Sequence, residues 1–128
     1  MSEFTNALGV STSALRMQSK RLRLISENVA NLDTPGYHRK LAPVRADRDA
    51  GRGQVMLGDV TLDRSELERI YDPSHPLADA SGHFEGSNVD LVIEIADARE
   101  AQRSYEANLK IFDQTRQMSS ALMDLLRR

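Results

Sequence analysis

The sequence predicts a mainly α protein: long N- and C-terminal helices packed as a coiled-coil-like pair, with a small irregular, β-containing insert between them. Three observations predict it. Apolar residues recur at alternating spacings of three and four through both ends of the chain. Three of the four prolines, Pro43, Pro73 and Pro76, fall in the middle with most of the glycines. Aromatic residues number only six, with no tryptophan, so a compact core lacks the side chains that usually bury most area.

Residues 1–37 read as a helix and its terminating turn. Leu8, Ser11, Leu15, Gln18, Leu22, Ile25, Val29 and Leu32 form a heptad seam that no proline interrupts. Pro35 forces Thr34 out of the helical region, and Pro35-Gly36 is a turn signal. The helix then covers about 28 residues and ~42 Å.

Residues 38–87 read as the insert. Val55 to Leu62 suggests a β-hairpin turning at Gly58-Asp59, and Ile70-Tyr71 an extended piece leading into a turn at Asp72-Pro73. Gly51-Arg52-Gly53 matches no phosphate-binding glycine pattern and reads as a flexible loop.

Residues 88–128 read as a second helix of ~58 Å. Asn88 is the expected N-cap, Asp90 and Glu94 suit the positive helix end, and Arg127 and Arg128 the negative one. The seam runs Leu91, Ile95, Ala98, Gln102, Tyr105, Leu109, Phe112, Arg116, Ser119, Met123 and Leu126. Helices this long cannot cover each other's stripes and close a compact domain. They pair within the chain, bury remaining faces in neighbouring subunits, or both. Ser11, Gln18, Gln102, Arg116 and Ser119 weaken the seams, so stability is expected to come largely from assembly.

Composition also excludes function classes. A formal charge of −2 offers no general attraction to nucleic acid or anionic lipid. The basic clusters Lys20-Arg21-Leu22-Arg23 and His38-Arg39-Lys40 are diluted by Glu27 and Asp33. With no cysteine there is no disulfide and no thiolate zinc site. His38, His75 and His83 lack ligand spacing, and the carboxylates read as solvated charge. No catalytic residue, cofactor or metal is therefore expected, and the chain does not read as an enzyme. No apolar run is long enough to span a bilayer. The first residues lack the pattern of a cleavable secretory signal, so the expectation is a cytosolic protein or one exported by another route.

Two sets of residues resemble a known family. Asn28-Val-Ala-Asn31-Leu-Asp-Thr34-Pro35-Gly36-Tyr37 resembles the N-terminal signature of bacterial flagellar rod, hook and hook-associated proteins. Tyr71-Asp-Pro-Ser-His-Pro76, Asn88-Val89 and Ala101-Gln-Arg103-Ser-Tyr105-Glu-Ala-Asn108 resemble the proximal rod proteins of the FlgC type. Where that family carries an aromatic and a proline before Asn-Val, this chain has Phe84 and Ser87, which implies a less rigid entry to the second helix.

The resemblance implies a structural subunit whose terminal helices pack with neighbours into the wall of a torque-transmitting tube. It implies passage through the flagellar type III export apparatus and a place in the rod crossing the periplasm. Implied partners are copies of itself, other rod proteins and the inner-membrane ring with its export-gate adaptor. Seams and signature together give an expected assembly interface: Leu8, Leu15, Leu22, Ile25, Asn28, Val29, Asn31, Leu32, Thr34, Pro35, Gly36 and Tyr37, then Tyr71, Asn88, Leu91, Ile95, Arg103, Tyr105, Asn108, Leu109, Phe112 and Met123. Alternatives are another short rod protein of the FlgB type, or a soluble helical adaptor or export chaperone.

Overall fold

A computed structural model describes residues 2–127. The unbroken apolar repeats become two long helices, α1 (Ser2–Ala30) and α2 (Leu91–Leu126). Between them lie β1 (Lys40–Leu41), β2 (Val44–Ala46), β3 (Val55–Leu57), β4 (Thr61–Leu62), β5 (Arg69–Tyr71) and β6 (His83–Glu85). The helices pack antiparallel along one another. The end of α1 meets the start of α2, and Arg21 reaches Glu100 at 3.6 Å further along.

The seam on α1 is the one the periodicity predicts. Ser11, Gln18 and Ile25, at successive heptad positions, are all buried. On α2 the frame differs. Glu94, Ala98, Ala101, Tyr105, Asn108, Phe112, Thr115 and Ser119 are buried or half-buried and recur at spacings of four and three. Of the expected seam, Ala98, Tyr105, Phe112 and Ser119 turn inward, whereas Leu91, Ile95, Gln102, Leu109, Arg116, Met123 and Leu126 are exposed. The helix is rotated so that its inner face mixes small, polar and aromatic residues, with Ala101 0% exposed at its centre.

The first part of the insert corrects the expected hairpin. Val55–Leu57 and Thr61–Leu62 are both strands, but they do not pair with each other. Lys40 pairs with Leu62 and Leu41 with Thr61; Val44 then pairs with Leu57, Arg45 with Met56 and Ala46 with Val55. This is one bent antiparallel hairpin from β1 to β4. Between its halves one strand spends Ala42 and Pro43 while the other spends Gly58, Asp59 and Val60, a one-residue bulge. Pro43 has no N–H to give a ladder, so the interruption falls there. Gly58 N donates to Pro43 O at 2.7 Å.

The chain reverses instead through Asp47–Gln54, where Gly51 and Gly53 take φ of 133° and 82°. The hairpin tip rests on α1. Val55 N donates to Ser13 Oγ at 3.1 Å, and a Cβ on Gly9 would lie 3.1 Å from Gln54 Nε2. A glycine inside a helix costs about 1 kcal/mol against alanine; here the close approach accounts for it. α1 is thus covered on a second side, by the insert and not by a neighbouring subunit.

The extended Ile70-Tyr71 piece is β5, which pairs with β6: Arg69 with Glu85, Ile70 with Phe84, Tyr71 with His83. His75 stacks on Phe84 with ring centroids 3.9 Å apart. Asp72 and Asp79 close the intervening turns on Ser74 and Ser81. The Ser81 hydroxyl and the His83 and Ser81 backbone N–H groups hold the Asp79 carboxyl down at about 2. At the helix start the expected cap is displaced: Asp90, not Asn88, is the N-cap, accepting from Val92 N at 3.0 Å. Arg127 caps the other end through its N–H to Met123 O, and Arg128 lies outside the described residues.

Two outcomes follow from this packing. Ala101→Leu should destabilise the chain by about 1–3 kcal/mol, read as a lower thermal midpoint by circular dichroism, because the helices touch there without space. Asp79 has a depressed pKa, so its contribution to the β5–β6 turn is present above 3.8 and lost as pH falls from 3.8 to about 2. The His83 amide resonance should shift across that window, and Asp79→Asn should remove the step.

Candidate functional site

The signature after α1 builds a joint. Asn31 Nδ2 donates to Glu27 O at 2.8 Å, and Thr34 Oγ1 to Asn31 Oδ1 at 3.1 Å, so the helix end is satisfied by its own side chains. Pro35 ends the turn and Gly36 takes φ 76°, a left-handed conformation that glycine adopts freely. That brings Gly36 N within 3.0 Å of Gly86 O, beside β6.

Asn28 is the centre of the joint and is 1% exposed. Its side chain pairs with the backbone of Lys40 as a strand would: Lys40 N donates to Oδ1 at 2.9 Å, and Nδ2 donates to Lys40 O at 3.0 Å. Tyr37 Oη donates to the same Oδ1 at 2.8 Å. Burial pushes the Tyr37 phenol up, with the neighbouring Lys40 charge pulling the other way.

Asn88 does the same from the other side. Its Oδ1 accepts from Arg39 N at 2.6 Å and its Nδ2 donates to Asp63 O at 2.9 Å. Ser87 Oγ donates to Leu32 O, tying the entry of α2 to the end of α1. The serine expected to loosen that entry instead fastens it.

A buried ion pair completes the joint. Arg39 Nε donates to Glu94 Oε1, and its other arm meets Asp97 Oδ2 at 3.0 Å. Glu94 is 0% exposed. Lys40 Nζ reaches Glu27 Oε2 at 3.0 Å. Among the described residues no group of three or more potential ligands could hold a metal ion.

Around this joint α2 presents its uncovered faces. Leu91, Ile95 and Leu109 lie on one flank of the inner seam, and Ile93, Ile111 and Met118 on the other; all six are exposed. Leu91 to Leu109 and Ile93 to Ile111 are each five turns apart, which keeps each flank straight. Counting from the Arg21–Glu100 pair, α2 runs past the start of α1 from about Ala121 onward. There Leu122, Met123, Leu125 and Leu126 are exposed.

Two family models match the chain. Residues 8–38 match the family described as flagella basal body rod protein, and residues 80–125 the flagellar basal body rod FlgEFG protein C-terminal family. The chain is 40% identical to the flagellar basal-body rod protein FlgC of Agrobacterium fabrum, over 99% of this chain and 98% of that one. The chain belongs to the FlgC family. It is also 33% identical to the FlgC protein of Salmonella typhimurium over 88% of this chain and 90% of that relative. With that of Bacillus subtilis the identity is 30%, over 94% and 96%.

The family signature residues are thus placed by the fold. Ile25 and Asn28 are buried, and Asn31, Leu32, Pro35, Tyr37 and Asn88 are half-buried about the joint. Thr34 and Gly36 are exposed on its rim, and Val29 is marginally exposed. Leu8, Leu15 and Leu22 are half-buried along α1, as are Tyr105, Asn108 and Phe112 along α2. Asn108 Nδ2 bonds Ser104 O within its own helix at 2.8 Å. Leu91, Ile95, Arg103, Leu109 and Met123 are exposed, as is Tyr71 on β5. Sequence reasoning missed Arg39, Glu94 and Asp97 as a unit. A signal existed: Glu94 is a lone carboxylate inside Leu91-Val-Ile-Glu-Ile95, and a charge in an apolar run needs a partner.

Asn28→Ala should cost about 2–4 kcal/mol in denaturant unfolding, since it strands the Lys40 amide and carbonyl and the Tyr37 hydroxyl. Tyr37→Phe, which removes one hydrogen bond, should cost about 1 kcal/mol. Equal effects would show that Asn28 does not organise the joint.

Proposed function

We propose that this chain is a structural subunit of the flagellar basal-body rod, in its proximal part, and that it polymerises through its terminal helices into the torque-transmitting shaft. The observation that carries this is surface. The chain exposes 9175 Å². A compact monomer of its 14.3 kDa mass exposes about 6,800 Å². The difference, roughly 2,400 Å², is about what three interfaces of standard size would together cover on one partner. Much of the exposed apolar surface lies on α2, whose two flanks point to opposite sides, as a subunit with neighbours on both sides in a tube wall requires.

Membership of the FlgC family supports the rod itself, since its relatives are named basal-body rod proteins. The partners in this reading are further copies, other rod proteins, and the inner-membrane ring with its export-gate adaptor. In this reading the chain reaches the periplasm through the flagellar type III export apparatus. No described helix is long and apolar enough to cross a membrane. The reading assigns no chemistry to the chain. Its interface consists of the α2 flanks and overhang, with Tyr71 and Arg103, while Asn28, Tyr37 and Asn88 act by fixing the joint that orients them.

Ile95→Asp and Leu109→Asp test this, because each adds a charge to a flank and leaves the inner seam untouched. The purified variants should keep their helical signal and lose under about 0.5 kcal/mol of stability. Cells carrying either as their only copy should lose motility and incorporation into basal bodies. Normal swimming by both would remove the α2 flank from the interface.

A further inference from the structure

Beyond the hairpin tip, which meets α1 at Gly9 and Ser13, the side of the helix that those two residues begin is uncovered among the described residues. Arg16, Lys20 and Arg23 lie there at helical spacings of four and three, all exposed. Each stands two positions, about 200° of helix rotation, from the buried side marked by Gln18 and Ile25. Arg21, the remaining cation of α1, pairs with Glu100 instead. Among the described residues none of the three forms an ion pair. They make a straight cationic ridge about 10 Å long on a helix that has no charged residue between Glu3 and Arg16.

The opposite charge is gathered elsewhere. Residues 63–90 hold seven carboxylates against two arginines. Arg69 pairs with Asp79, but among the described residues Glu66, Glu68 and Asp90 have no cationic partner. These three line an open groove of about 410 Å³ with Ser65 and Asn88, and no basic side chain reaches it. The groove sits at the joint, beyond the end of α1, and the rigid helix carries its ridge away from it.

We infer that the cationic ridge of α1 docks against the acidic 63–90 surface of a second copy of this chain. This rests on the rod reading and adds the register to it. Two complementary patches at different places on one chain form a heterologous, head-to-tail contact, which builds a ring or an open helix and not an isologous dimer. Partners of other chemistry fit less well. A polyanion such as nucleic acid or a lipid surface would meet three cations on a chain whose net charge is −2. Exposed ion pairs are individually weak and salt-screened, so the contact sets orientation and encounter rate while the apolar flanks of α2 supply area.

The absence of cysteine in the natural chain gives a direct test. Lys20→Cys with Glu68→Cys, expressed as the only copy, is treated with a short bismaleimide in isolated basal bodies. The expected result is a ladder of covalent multimers of this chain, absent from either single variant. In parallel, Arg16→Glu/Lys20→Glu/Arg23→Glu should lower incorporation about tenfold or more. Glu66→Lys/Glu68→Lys in the same chain should restore it. Asp90 is left intact because it caps α2. Incorporation without any ladder, a crosslink only to a different rod protein, or no rescue by the reversed pair each overturns the register and leaves the rod reading standing. Failure of the unmodified chain to co-purify with basal bodies overturns both.

Discussion

Glu94 is a carboxylate with no exposed surface in the middle of an apolar stretch, and everything else in the helix pair is arranged around that fact. A charge taken out of water needs a partner in good geometry, and removing one partner of such a pair typically costs about 3–5 kcal/mol. Arg39 is that partner, held in place because its own amide is bonded to Asn88 and the next residue is bonded to Asn28. The pair acts less as a source of net stability than as a setting for rotation. With Glu94 fixed inward, Ala98, Ala101 and Tyr105 follow it on the same face, and Leu91, Ile95 and Leu109 are carried round to the flank. The apolar residues of α2 are therefore exposed because electrostatics won over simple hydrophobic pairing.

That choice shapes the energetics of the isolated chain. Its fully buried apolar residues among those described are Met17, Ile25, Val89 and Ala101, while Ser11, Gln18, Asn28, Ser87 and Glu94 are equally buried and polar. Polar contacts of this kind contribute about 1 kcal/mol each once formed and cost more when one partner is missing. An interface built from them specifies one alignment and adds little net driving force. Two long helices held mainly in this way leave their apolar flanks to find cover in other subunits.

The helices were legible in the sequence because a period of three and four persists over many turns, and the signature marks where α1 ends. The rotation of α2 was not. The frame through Leu91, Ile95 and Leu109 and the frame through Glu94, Ala101 and Asn108 share Ala98, Tyr105, Phe112 and Ser119, and differ by about 40° on the helix wheel. Hydrophobicity favours the first. Only a contact 55 residues away in sequence, Arg39 to Glu94, selects the second. The cap failed for a similar reason: Asn88 has the right side chain, but the long-range bonds to Arg39 and Asp63 claim it, and Asp90 is next in line. Strands of two or three residues carry no period at all, so the pairing of Lys40–Leu41 with Thr61–Leu62 could not be read locally.

The two sides of α1 show how the insert divides the labour of the molecule. The bent hairpin lies along α1 from Lys40 beside Asn28 to Gln54 above Gly9, which covers a side of that helix that α2 cannot reach. No strand does this for α2. Since α1 is sandwiched and α2 is not, a neighbour can approach α2 on either flank without displacing the insert, whereas α1 leaves open the ridge of Arg16, Lys20 and Arg23. Uncovered apolar area is thus offered by α2, and a ridge of cations without ion-pair partners among the described residues by α1. A subunit so divided can be guided by the weaker, longer-ranged contact before the short-ranged apolar surfaces meet, because charge acts over about 10 Å at 0.1 M salt and apolar burial acts only on touching.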